Sequence, residues 1–82
     1  MLSEIYFERA NGELVLIGVT PAEPDEHEPA MAVVHKFCTQ HKYQIPYCRM
    51  WNEEMKGREM TCVDVGSHTE FFWIDPPLTL FT

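Results

Sequence analysis

Two apolar-rich runs, "IYF" at residues 5–7 and "LVLIGV" at residues 14–19, flank the polar stretch "ERANGE". Short apolar runs separated by a turn signal predict a β-hairpin. Asn11-Gly12 is expected at its tip, because both central positions of a type I′ turn need positive φ. That turn would set Phe7 opposite Leu16 and Ile5 opposite Gly18 on one face, with Tyr6, Val15, Ile17 and Val19 on the other. The second strand is apolar on both faces, which predicts a central place in the sheet.

The period changes after residue 28. Pro21 and Pro24 bar a regular strand across residues 20–28, and Pro29 suits a first helical turn, where its missing N–H costs nothing. From there Ala30, Val33, Val34, Phe37, Cys38 and His41 recur at helical spacing, predicting a helix over 29–42 with that stripe buried and Met31 on the outer surface. Residues 47–51, 60–65 and 70–74 read as three strands, with "NEEMKGRE" and "GSHT" between them. The tail "DPPLTLFT" is expected to be extended, its Leu78, Leu80 and Phe81 docking on the body or waiting for a partner. The order is ββαβββ: one α+β domain over residues 1–82, an antiparallel sheet with one helix packed on it.

Alternation also divides the second sheet unit into two faces. With Lys56-Gly57 at the hairpin tip, Arg49 lies opposite Asp64 and Trp51 opposite Cys62. A turn over residues 66–69 then sets Asp64 against Phe71 and Cys62 against Trp73. One face collects Cys48, Met50, Val63, Val65, Phe72 and Ile74 and suits the helix. The other collects Tyr47, Arg49, Trp51, Cys62, Asp64, Phe71 and Trp73. Trp, Tyr and Arg dominate binding hot spots, because they bury large areas at low entropic cost and keep a polar handle. Tyr47, Arg49, Trp51, Asp64, Phe71 and Trp73 are therefore the candidate partner-binding residues. The competing reading buries this face as a second core layer beneath the N-terminal hairpin.

Charge narrows the partners. The 82 residues carry a formal net charge of −7. Acids Glu4, Glu8, Glu13, Glu23, Asp25, Glu26 and Glu28 crowd the first thirty residues against Arg9 alone. Such a surface repels phosphate, which argues against direct nucleic-acid binding; it suits a protein partner with a basic surface, such as a nucleic-acid-handling protein, or serves only to keep the domain in solution. Glu23, Asp25, Glu26 and Glu28 form a secondary acidic surface, or serve only to favour the helix N-terminus. No apolar run approaches the ~18 residues of a membrane span, and "MLSEIYFERA" lacks a basic signal-peptide n-region. Cytosol is the expected compartment, and the three unpaired-looking cysteines fit it.

"DVGSHTEFFWI", residues 64–74, places Asp, Ser, His and Glu together. A catalytic triad needs a pocket with an oxyanion site, whereas here Asp64 pairs across to Arg49 and Ser67 with Glu70 has the form of a capping box. It reads as a turn, and no enzyme is expected. His35, Cys38 and His41 spread around a helix rather than forming paired zinc ligands, so no metal or cofactor is expected. A zinc site from Cys38, His41 and a distant Cys is kept as an alternative.

"YCRMW", a polar hairpin and "DVGSHTEFF", within residues 47–72, resemble small phage and prophage proteins of Gram-positive bacteria. The resemblance covers about a third of the chain. It implies a phage context, in which small acidic proteins often inhibit host or defence-system proteins; an anti-CRISPR-like inhibitor is the concrete expectation. A phage structural or assembly protein, working as a homo-oligomer through its strand edges or tail, is the alternative.

Overall fold

A computed structural model describes residues 2–22, 27–42 and 49–78. Tyr47, Cys48, Glu23, Asp25, Glu26, Leu80 and Phe81 lie outside the described residues. The element order is β1 (Leu2–Glu8), β2 (Leu14–Pro21), α1 (Glu28–Gln40), β3 (Arg49–Met55), β4 (Arg58–Asp64) and β5 (Thr69–Asp75). The strands form one antiparallel sheet in the order β2-β1-β5-β4-β3, so the α+β class and the ββαβββ order are as the periodicity indicates. β1 hydrogen-bonds to β5, which joins the two hairpin units edge to edge. The N-terminal hairpin therefore extends the sheet rather than covering its aromatic face.

The first hairpin departs from the two-residue turn. Arg9 N donates to Glu13 O and Gly12 N to Arg9 O, both at 2.8 Å, and only Gly12 has positive φ (88°). This is a three-residue loop, a type I turn closed by a left-handed residue. It shifts the register by one, so Tyr6 pairs with Leu16 and Phe7 with Val15. A bulge at Ile17 then absorbs the extra residue, and Ile5 still meets Gly18. Val15 and Ile17 consequently face the helix, and Leu16 does not. The two-residue turn with two positive φ values occurs instead at Lys56 (53°) and Gly57 (76°), with strands running right up to it. "NEEMKGRE" is thus mostly strand. β2 lies at the edge, not the centre.

The core lies between α1 and the inner face of the sheet. Ile5, Ala30, Val34, Cys38, Val63, Phe72, Ile74 and Leu78 are fully buried. Phe7, Phe37 and Phe72 form an aromatic cluster, with centroid distances of 4.6 Å and 5.4 Å from Phe37 to the other two. Gly18 admits the helix: a Cβ there would stand 2.8 Å from Val33 Cγ1. Met31, expected outside, packs against this core, and His41 leaves the buried stripe to stack on Phe37 at 4.1 Å. The helix ends there because Lys42, at φ 62°, turns left-handed. Leu78 docks from the C-terminal segment.

Glu59 is the unexpected core member. It is fully buried, and its Oε1 lies 3.1 Å from both Asn52 Nδ2 and His27 Nε2. Its Oε2 accepts a 2.9 Å bond from the Leu78 amide. One carboxylate thereby ties β4 to β3, to the residue preceding α1 and to the C-terminal segment. Three donors offset the large desolvation cost of burying an anion.

Candidate functional site

Alternation in β3, β4 and β5 sends Arg49, Trp51, Cys62, Asp64, Phe71 and Trp73 to the face opposite α1. Arg49 pairs with Asp64 and Trp51 with Cys62, as the hairpin tip requires. The β4–β5 turn is two residues tighter than expected: Val65 N donates to His68 O, so Asp64 pairs with Thr69 and Cys62 with Phe71. A slip of two preserves parity, so every side chain keeps its face.

No described element packs over this outer face. Trp51, Phe71 and Trp73 are half-buried. Between them Met60 and Cys62 are 8% and 1% exposed, although they point away from the helix. The neighbouring rings provide that cover, since Trp73 pairs with Met60 and both Trp51 and Phe71 with Cys62. Burial pushes the Cys62 thiol pKa up, and the Glu53 carboxylate adds to it.

β1 contributes residues that the local pattern did not indicate. Tyr6 pairs with Trp73 and Glu8 with Phe71 on the same face. Trp73 Nε1 donates to Glu8 Oε1 at 3.2 Å, and Trp51 Nε1 donates to Glu53 Oε1 at 3.3 Å. Each indole is therefore edged by a carboxylate. The Arg49 guanidinium sits 5.0 Å from the Trp51 ring centroid, a cation–π contact, and lies 3.8 Å from Asp64 Oδ2. Arg58 pairs with Asp75 at 3.5 Å. Both arginines of the face are thus engaged by carboxylates, while Glu4, Glu8 and Glu53 add negative charge. A hydrogen bond with Glu4 holds the Tyr6 phenol pKa above its ordinary value, with burial and the nearby carboxylates acting in the same direction. A cleft of about 400 Å³ lies on this side, lined by Glu8, Leu14, Lys56, Arg58 and Trp73.

The Ser67-His68-Glu70 cluster closes on itself. Ser67 Oγ is 2.9 Å from His68 Nδ1, and His68 Nε2 is 2.7 Å from Glu70 Oε1. With Nε2–H donating to Glu70, Nδ1 accepts a hydrogen bond from the Ser67 hydroxyl. The histidine therefore links the serine and glutamate that a capping box would have joined directly. Asp64 stands apart from this chain, accepting from Gly66 N at 2.9 Å. Ser67 and His68 are exposed, and the cluster holds the turn. Beside it, Phe7, Arg9, His41, His68, Glu70 and Phe71 help line a cleft of about 500 Å³.

Glu28 is exposed in the first turn of α1, as the helix dipole favours. Cys38 is buried in the core. Among the described residues no three His, Cys, Asp or Glu side chains are grouped to hold a metal ion, and no helix is long and apolar enough to cross a membrane. No protein-family model matches the sequence, and no characterised protein or solved structure is significantly similar to it.

Proposed function

We propose that this chain is a non-enzymatic protein-binding module whose outer sheet face occupies a functional surface of a bacterial protein. The observation that carries the reading is the placement of Arg49, Trp51, Asp64, Phe71 and Trp73 on one face that no described element covers. Half-buried aromatics on a rigid sheet lose little entropy when a partner desolvates them. Carboxylates edging both indoles, in a chain of net charge −7, favour a partner with a basic surface, such as a nucleic-acid-handling protein. The resemblance of residues 47–72 to phage and prophage proteins supports inhibition of a host or defence-system protein in the bacterial cytosol, of the anti-CRISPR kind.

The test is capture from a bacterial lysate with identification by mass spectrometry, using wild type, Trp51→Ala and Trp73→Ala as baits. The reading expects a specific partner with the wild type and its loss with both folded variants. Capture that is indifferent to both tryptophans, or no specific partner at all, overturns it.

A further inference from the structure

β2 is an edge strand with the composition of an interior one. It pairs with β1 on one side, and no described strand pairs with its other side. An edge presents a row of unpaired N–H and C=O groups, and edges that must stay single are commonly guarded by charge or proline. β3, at the opposite edge, is guarded in this way by Arg49, Glu53 and Glu54. β2 reads "LVLIGVTP" and carries no charge at all; its only proline is at the end, and the bulge at Ile17 is the one irregularity along it. Its flank is apolar too. Leu16 and Val19 are 52% and 53% exposed, and Leu2, paired with Pro21, is 62% exposed.

We propose that β2 pairs antiparallel with β2 of a second copy of this chain, joining two five-stranded sheets about a two-fold axis. The charge distribution selects that occupant. Residues 14–22 are the longest stretch of the sequence without a charged side chain, in a chain of net charge −7. Two identical acidic molecules repel wherever their carboxylates meet, and this stretch is where they can approach without that cost. A basic partner gains nothing along that edge and is drawn instead to the strands beyond it, where Glu8 and Glu53 edge the indoles. An antiparallel pair of identical strands is also self-complementary, as a two-fold interface requires. The pairing leaves Trp51 and Trp73 free, so it stands independently of the partner proposed above.

Sedimentation velocity over a concentration series tests it, with hydrogen exchange of the β2 amides measured at the same concentrations. The expected result is a dimer at tens of micromolar, with β2 amide protection rising as the dimer forms. Leu16→Glu with Val19→Glu sets like charges against each other across the seam and should raise the dimer dissociation constant by at least about tenfold. Glu54→Gln, on the opposite edge strand, should leave that constant unchanged. A wild-type monomer throughout the series overturns the proposal. So does a dimer whose β2 amides exchange as freely as in the monomer, and so does a folded double variant that dimerises like wild type. If the double variant does not fold, the exchange data on the wild type decide.

Discussion

Replacing Glu59 by alanine removes the acceptor shared by Asn52, His27 and Leu78. The three donors are not equally affected. Asn52 is exposed and the His27 side chain is 30% exposed, so water can satisfy both after the change. The Leu78 amide sits in a buried segment and is left unpaired, which costs about 1–3 kcal/mol. The vacated side-chain volume adds about 1 kcal/mol or more of lost packing. Release from burying an anion offsets part of this, leaving a net loss of about 2–3 kcal/mol. A domain of this length holds about 4–12 kcal/mol in total. Urea unfolding should therefore move to a midpoint about 2–3 M lower, at a slope of about 1 kcal/mol/M. Glu59→Gln, which keeps the shape and one acceptor, should fall between the two. Amide exchange at Leu78 should accelerate in Glu59→Ala far more than at Ile5 or Phe72. A midpoint within about 0.5 M of wild type, or an unchanged Leu78 amide, would refute the reasoning.

Trp73→Ala should lower stability by about 3–4 kcal/mol in thermal melts, because roughly two-thirds or more of a ~200 Å² side chain is buried; a loss above about 5 kcal/mol would mean the ring belongs to a closed core. Thr61 is fully buried, and among the described residues its hydroxyl finds no partner. Thr61→Val should then stabilise the fold by about 1 kcal/mol, and a destabilised variant in the same melt would reveal a missed bond. In a Tyr43→Phe/Tyr47→Phe background, ultraviolet titration should place the Tyr6 phenol above its usual value near 10, and Glu4→Gln should bring it down. Because the folded phenol holds its proton more tightly, its contribution to stability is present below that usual value and is lost as pH rises through the folded pKa. A midpoint unmoved by Glu4→Gln would discount the Glu4 hydrogen bond.

Element order and the division of β3, β4 and β5 into two faces were legible because both depend on periodicity, and parity survives a slip of two residues. The tip of the first hairpin was not. Asn-Gly suits a type I′ turn, yet a three-residue loop and a bulge at Ile17 give the same Ile5–Gly18 pairing while turning Val15 and Ile17 inward. Local chemistry does not choose between these, and packing against α1 does. β2 read as central because apolar residues on both sides of a strand usually mean layers on both sides; here the outer residues Leu16 and Val19 stay exposed. Glu59 sits in a run of polar residues that resembles a loop. Its burial depends on His27, Asn52 and Leu78, which are far apart in sequence or ordinary in type. Tyr6 and Glu8 joined the outer face only through the β1–β5 pairing, which links the first strand to the last.

That central seam also governs how the molecule can assemble. Glu4 pairs with Asp75 and Glu8 with Phe71, so two neighbouring interior strands of the sheet are the first and the last in the chain. Loop-closure entropy makes such a pairing slow to form. Each hairpin unit can zip up locally, but neither completes an inner face until they meet. Cutting the covalent connection between α1 and β3 would leave two fragments, one offering β1 and α1, the other β5. Ile5 and Phe7 on the first need Phe72 and Ile74 on the second. Mixed in solution, the halves should find each other and reconstitute the fold as a bimolecular reaction, while either alone would expose its half of the core and aggregate.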